Sequence, residues 1–566
     1  IGTGWYSSEY IVGSKSFGPL KLTAGLGFGR LAGRNKISNP IGKIFPNFSK
    51  RNWRDVGQGG TLARTNWFRG ESSAFYAAYY ELGEKLTVSA EYTPDLMLNE
   101  KEYINIKSPW NYGVTYKLNE FFSFTAQRLH GSQASLTAQV TASPRRPPLL
   151  GGKELAPVPM RIRGAKSASL QQSDEYLIKK VLEADKFKLH NLKIEGNTVK
   201  LKVTNTKFRS TAQAVGRLSS TLQRFTSDQV KFANISFIEQ DIVLASYFVD
   251  LEKITTEQFS GKANKKEKAS IKAVDLAHFN KVGTTQRFSW GIGPYITHRL
   301  FNPDLPLSAE TGLELNGAYH ITSGLKLSGS FRKSILTNLT DNERRSNSVL
   351  PRVHSDLPLY DFAGQRGHIH ELSVSYFKNL APSFYGKFRA GLLEPFYAGF
   401  GGELLFKPIN SPIGLGVDVH RVRKRNYDMK FSLLDYETTV GHLSFYYDAG
   451  GMIDIEINAG RYLAGDWGAT TTISRKFGSG WEVGGYATLT DVPFETFGEG
   501  SFDKAIFVSI PIDWIISTPT KAKRRLTLRP ITRDGGANLR SARSLMRLIE
   551  RNQNAHFKRE IGRIWK

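Results

Sequence analysis

The sequence contains no cysteine, which excludes a disulfide-stapled scaffold, a zinc ribbon and a thiol enzyme. It also lacks any run near the ~20 uninterrupted apolar residues that a membrane-spanning helix needs, and its negative mean hydropathy agrees. If this chain crosses a bilayer, strands must do it. Acidic residues are comparatively scarce: 51 Asp+Glu stand against 77 Lys+Arg, a formal charge of +26. That surplus favours an anionic partner such as nucleic acid, an anionic membrane surface or an acidic polymer, without choosing among them. Ile1-Gly2-Thr3-Gly4-Trp5-Tyr6 has no basic region followed by an apolar core, so either a cytosolic chain or a removed leader is expected.

What is present points to an ordered protein. With 566 residues, 40% of them hydrophobic and 12% aromatic, the chain can form three or four folding units at roughly 150 residues each. Residues 1–142 read as short antiparallel strands. Leu86, Val88, Ala90 and Tyr92 share one face there, while Thr87, Ser89 and Glu91 take the other. The Pro-rich stretch 143–160 marks a linker. Residues 161–256 read as a small α/β module, with helices from Asp174 to Ala184 and from Thr211 to Phe225 among four strands. The lysine-rich stretch 257–284 reads as a second linker.

Between 285 and 517 the alternation is cleaner. Leu325, Leu327, Gly329 and Phe331 lie opposite Lys326, Ser328 and Ser330, and isoleucines alternate with Asp454 and Glu456. A soluble sandwich also alternates. Transmembrane barrels add aromatic strand ends and loops of unequal length, and this span would supply roughly 12 strands around a polar lumen. The residues therefore predict a mainly β fold class: an antiparallel β region at 1–142, an intervening small α/β module, an antiparallel transmembrane β-barrel at 285–517, and a basic helical tail at 518–566. From Lys521 to Lys566 there are 14 Lys/Arg against 3 acidic residues, and Ala537 to Glu560 has helical spacing, predicting a basic amphipathic helix outside the hydrocarbon.

For a hydrated conduit the useful chemistry is electrostatic, because lumen-facing cations lower the cost of admitting an anionic chain. Lys387 and Arg389 alternate with Phe388 and Ala390, and Arg421, Arg423 and Arg425 recur at period two. Either set could face the lumen, or lie near strand ends facing lipopolysaccharide phosphates. Arg461 and Asp466 could pair within a glycine-rich turn, which is equally explained as structural. Arg217, beside Gly216, could dock a periplasmic partner or a sugar acid, or Gly216 could permit close packing of the helix on its sheet. Arg540, Arg543, Arg547 and Arg551 form a cationic stripe suited to anionic lipid, peptidoglycan or acidic polysaccharide. Glu394, Glu403 and Asp418 would serve glycoside cleavage only at a spacing that sequence does not show. His368 and His370 share a strand face but lack an evident third ligand. Gly25 to Gly29 is no phosphate loop, because no Lys-Ser/Thr follows.

The strings themselves resemble the YjbH family (YjbH/GfcD-like) of exopolysaccharide and capsule biosynthesis outer-membrane proteins. Carrying the resemblance are Gly25-Leu26-Gly27-Phe28-Gly29-Arg30-Leu31, Ala214-Val215-Gly216-Arg217, Asn347-Ser348-Val349-Leu350-Pro351, Gly460-Arg461-Tyr462-Leu463-Ala464-Gly465-Asp466-Trp467-Gly468 and Arg533-Asp534-Gly535-Gly536-Ala537. The resemblance implies two β-barrels in a Gram-negative outer membrane, a periplasmic α/β part, and a role with a lipoprotein and periplasmic partners in polysaccharide secretion. Family members carry a signal sequence and a further β-rich stretch before the Gly2-Thr3-Gly4 string, so the first barrel is expected to be N-terminally incomplete. No enzyme activity, cofactor, metal or nucleic-acid partner is expected. Two rival readings are a general diffusion porin or structural barrel, and a barrel enzyme modifying polysaccharide or lipid; a soluble basic nucleic-acid binder is a third.

Overall fold

The computed structural model describes every residue except 1–6, 52–63, 101, 149–153, 163–171, 260–269, 276–286, 301–304, 306, 342–345, 451, 498–501, 517, 530–532 and 540–543. The chain is mainly β, and no helix among the described residues is long and apolar enough to cross a membrane. It forms two compact units, Ile1–Pro148 with Gly498–Ser501, and Leu149–Phe497 with Phe502–Lys566.

The first unit holds a seven-stranded antiparallel meander. Its strands are β1 (Ser8–Phe17), β2 (Leu20–Gly29), β3 (Ser72–Leu82), β4 (Leu86–Tyr92), β5 (Trp110–Lys117), β6 (Phe122–Leu129) and β7 (Gln133–Val140), with a short helix α1 (Pro40–Ile44) after β2. Across β4 to β6 the register pairs Val88 with Val114 and Tyr116 with Phe124 on one face, while Thr115 and Thr125 share a 2.9 Å hydroxyl bond on the other. Tyr112, Val114, Tyr116 and Phe124 are exposed. Gly25 sits mid-strand under the Phe75 ring, a packing role rather than a phosphate loop.

The second unit opens with the α/β module. Helices α2 (Gln172–Ala184), α3 (Thr211–Phe225) and α4 (Leu251–Phe259) surround a five-stranded sheet of β8 (Phe187–Glu195), β9 (Thr198–Asn205), β10 (Phe232–Glu239), β11 (Ile242–Asp250) and β12 (Ile271–Val274), in the order β12-β11-β10-β9-β8. β9 and β10 are parallel, so the chain must cross over between them, and α3 is that crossover. Ser210 caps α3 by accepting from Gln213 N at 3.4 Å, and Ala212, Val215, Leu218 and Leu222 bury against the sheet. The polar side of α3 is buried as well. Phe557, Ile561 and Ile564 of the C-terminal tail join the same core.

The largest sheet is a thirteen-stranded antiparallel meander, β13 to β25. Its strands are Phe288–Leu300, Leu307–Thr322, Leu325–Thr337, His368–Ala381, Phe384–Leu392, Tyr397–Phe406, Ile413–Arg425, Leu433–Ala449, Ile453–Arg461, Trp467–Lys476, Glu482–Thr490, Asp503–Pro511 and Lys523–Leu528. The last strand extends past 517, into what reads from sequence as tail. No backbone ladder joins β13 to β25 among the described residues, so the expected closed hydrogen-bonded cylinder is not seen in either sheet. Arg524 of β25 nonetheless donates to Ile296 O of β13 at 2.9 Å, so this sheet has curled until its two edges meet. The short helices α5 (Asp361–Arg366), α6 (Phe494–Phe497) and α7 (Ile512–Ile516) lie in its connections, and α8 (Leu545–Ile549) and α9 (Asn554–Arg559) follow it.

Burial in this sheet is inverted. Leu327, Phe388, Val419, Leu443, Ile473 and Leu489 are exposed, while their strand neighbours Ser328, Lys387, His420, Ser444, Ser474 and Thr488 are buried. A dry sandwich would bury the first set. The module packs directly on the turns of this sheet: Asn379 exchanges two hydrogen bonds with Val243, at 2.9 and 3.1 Å, and Tyr385 OH donates to Leu244 O at 3.2 Å. Module and sheet thus form one compact unit, although the sequence reads as two domains joined by a linker.

Gly216 lies under the tail rather than under the sheet; a Cβ there would stand 1.8 Å from Ile564 O. Gly216→Ala is expected to lower thermal stability by about 1–3 kcal/mol through overpacking and to expose the tail to protease. Because Ala by itself favours a helix by about 1 kcal/mol over Gly, a higher melting temperature would show that this contact contributes nothing.

Candidate functional site

At period two, alternate residues of each strand turn inward, and the buried face of the large sheet carries many polar side chains between apolar clusters that include Phe377, Tyr385 and Leu405 at one end and Tyr397, Val422 and Val440 at the other. The antiparallel register then lines up Lys387, Glu403, Asp418 and His442 on four adjacent strands as one row. Gly460 and Gly468 continue the row without side chains. Lys387 Nζ pairs with Glu403 at 3.1 Å, and Glu403 also accepts from Leu545 N of α8 at 2.7 Å. Asp418 lies 3.4 Å from His420 Nδ1 and 3.8 Å from His442 Nδ1. The His442 ring meets Tyr462 edge-on at 4.8 Å, and a hydroxyl chain runs from Tyr462 through Thr470 to Thr488 at 2.7 and 2.8 Å.

Beside this row, enclosed by the curled sheet and the tail, is a cavity of about 900 Å³. Eight Asp/Glu and seven Lys/Arg line it, with four histidines. The surplus of cations expected of the interior is absent: acidic and basic side chains are nearly balanced there, as burial of charge favours.

The tail forms one wall and is held by ion clusters. Lys476 binds Asp454 at 2.9 Å and Glu550 at 3.0 Å, and Arg559 binds Asp448 at 3.1 Å. Arg209 of the module bridges Asp513 of α7, at 3.1 Å, and Glu560 of the tail. Burial, reinforced by Lys476, holds the His556 imidazole well below its usual pKa of 6.5. Burial pushes the Glu550 carboxyl up, but Lys476 and Lys523 outweigh it and leave that pKa below the usual 4.5. At the far end Asp534 accepts from the backbone N–H groups of Val353, His354 and Ser355 at 2.9–3.0 Å, fastening the start of the tail to that loop.

The structure sorts the residues singled out from sequence. Lys387 and Arg389 face inward, but each is matched by a carboxylate, Arg389 by Glu371 at 2.8 Å. Arg421 and Arg423 belong to the exposed face, bonded to Glu437 and Asp435, and are not lumen residues. A bulge between Arg423 and Arg425 breaks the period, so Arg425 turns inward and donates to the carbonyls of Glu394, Ile369, Met429 and Lys430. Arg461 and Asp466 do not pair. Arg461 donates to Gly465 O at 3.3 Å, and Asp466 accepts from Gly536 N at 2.7 Å. Arg217 is not a docking residue, being buried against Asp185, Leu155 O and Lys566 O.

The tail is not one exposed amphipathic helix. Extended backbone at Gln553 separates α8 from α9, and Leu545, Ile549 and Phe557 are buried. Arg547 and Arg551 line the cavity, while Arg540 and Arg543 lie outside the described residues. Glu403 and Asp418 adjoin, but Glu394 stands apart beside His354 at 3.7 Å. His368 and His370 have ring centroids 6.0 Å apart, and no group of three or more candidate metal ligands occurs among the described residues. Sequence reading missed Lys476, Glu550 and His556, whose significance rests on partners far along the chain. His442 was readable only as an inward position, next to outward Leu443.

A curled antiparallel sheet with exposed apolar side chains outside, charged ones inside, and the segment after β25 packed against the interior defines a mainly β protein distinct from a dry two-sheet sandwich. The chain belongs to the YjbH family: the model for "Exopolysaccharide biosynthesis protein YbjH" matches residues 1–551. It is also similar to "Uncharacterized lipoprotein YjbH" of Escherichia coli (strain K12), at 26% identity over 563 residues, covering 95% of this chain and 79% of that protein.

Acid is expected to loosen the tail. His556 protonates more readily unfolded than folded, so its stabilising share is complete above pH 6.5 and declines below it. Glu550 adds a loss in the same direction as pH falls through and below 4.5. Limited proteolysis of the tail should therefore accelerate from pH 7 to pH 4; a rate independent of pH would refute the cluster's role. Arg209→Ala, which leaves Glu560 buried without its cation and Asp513 with only Arg563 at 3.8 Å, is expected to cost about 3–5 kcal/mol in a denaturation experiment.

Proposed function

We propose that this protein is a Gram-negative outer-membrane β-barrel protein that assists export or assembly of an exopolysaccharide or capsule, without catalysis. The observation that carries the reading is the inverted burial of the thirteen-stranded sheet, with large apolar side chains outward and ionisable ones inward. Water or polar polymer inside and lipid outside is the setting in which that arrangement is stable. The meeting of β13 and β25 through Arg524 supports a barrel. The seven-stranded sheet, with its exposed aromatic face, is the matching part of a first barrel. Arg421 and Arg423, on the outer face with carboxylate partners, suit a rim beside lipopolysaccharide phosphates.

Membership of the family supports the link to exopolysaccharide, and the lipoprotein name of the Escherichia coli relative supports an envelope location and lipoprotein or periplasmic partners. The module, packed on the turns at one end of the sheet, is the periplasmic part. A general diffusion pore fits less well, because the tail lies within the interior and is tied to it by ion pairs.

Cells deleted for this protein should release markedly less polysaccharide, and the tagged protein should fractionate with outer membranes and require detergent for extraction. Unchanged secretion would remove the export reading, and recovery in the soluble fraction would remove the barrel.

A further inference from the structure

The interior cavity holds polar groups that the protein itself does not satisfy. His442 is 3% exposed and neither ring nitrogen makes a hydrogen bond, Nδ1 standing 3.8 Å from Asp418. Gln553 is 4% exposed, and its side-chain nitrogen and oxygen are likewise without hydrogen-bond partners. Both line the cavity. Buried polar atoms are almost always bonded, so a pair left open toward one space points to something that fills it. Next to His442, Gly460 and Gly468 keep the row clear of side chains.

The surrounding chemistry selects among occupants. Five of the cavity's seven Lys/Arg are already engaged: Lys476 by Asp454 and Glu550, Lys523 by Glu482 at 3.6 Å, Arg525 over the Phe507 ring at 3.5 Å, Lys407 by Ile413 O and Arg551 by Lys521 O. A polyanion would have to break these pairs or bring its charge beside eight carboxylates. A sugar hydroxyl both donates and accepts, as do an amide and a neutral imidazole. Tyr446 and Tyr486 add flat rings with polar tips to the same wall. The volume, about 900 Å³, lies within the range of ligand pockets.

We infer that this cavity binds an uncharged oligosaccharide stretch through its hydroxyls, with His442 and Gln553 as direct contacts. The inference rests on the exopolysaccharide reading above and narrows it to a glycan that is neutral where it meets this site.

The test titrates the purified full-length chain in detergent with neutral glucose and galactose oligomers of both anomeric linkages, and with a galacturonate oligomer, by calorimetry at low and high salt. Saturable binding of a neutral oligomer, tighter than the uronate and insensitive to salt, is expected. His442→Ala and Gln553→Ala should each weaken it about three- to tenfold, the loss of one net hydrogen bond. Should either variant fail to fold, deuterium exchange at the His442 ring C2–H in the unsubstituted chain gives the same answer, slowing when the oligomer binds. Preference for the uronate, no binding of any neutral oligomer, or unaltered exchange at His442 would overturn the site. If deletion of the protein still abolished secretion, only this site would fall; unchanged secretion on deletion would remove the reading beneath it.

Discussion

A charge buried in this protein meets an opposite charge or a set of hydrogen bonds, as Lys387 meets Glu403 and Arg425 meets four carbonyls, and the interior of the large sheet is built under that constraint. Strand pairing satisfies the backbone sideways and leaves each strand two faces to assign. The outward face is rich in apolar side chains, so inward Lys, Arg, Asp and Glu are brought close to one another. There the Lys387–Glu403, Arg389–Glu371 and Lys476–Asp454 pairs form. A net basic chain consequently contains a nearly neutral cavity, and its positive surplus lies elsewhere.

The tail depends on the same constraint. Glu550 and Arg559 complete ion clusters that strand residues leave half-made, and Phe557, Ile561 and Ile564 complete the apolar core of the α/β module. One segment therefore belongs to the interior of the sheet and to the module at once. Arg209, fixed between Asp513 and Glu560, locks the two further. Displacing the module would disturb the tail, which gives a partner acting on the module a physical route to the cavity wall.

Much of this was legible in local pattern. Thr211–Phe225 is a helix over the span its apolar spacing predicts, and Leu325 to Phe331 alternates as read. Period two at Lys387 and Arg389 correctly assigned both to one face. Period two likewise put Arg421 and Arg423 on one face without saying which, and failed at Arg425, because one bulge flips a side chain and leaves no mark in composition. It failed again at Arg217, whose carboxylate partner, Asp185, lies 32 residues away.

The sequence alone determined that the chain is β-rich and which residues alternate, since these follow from neighbours a few positions apart; it read 257–284 as a linker, where the structure places the module's edge strand β12, because a four-residue strand leaves too short a pattern to detect. Only the tertiary structure decided which alternate face is the inside, that the basic tail folds into that inside, and that Lys387, Glu403, Asp418 and His442 form one row. Those outcomes depend on strand register and on pairs such as Arg209–Glu560, 351 residues apart. Local periodicity carries no information about contacts at that separation, because the energy that fixes them arises only when the distant groups lose water together.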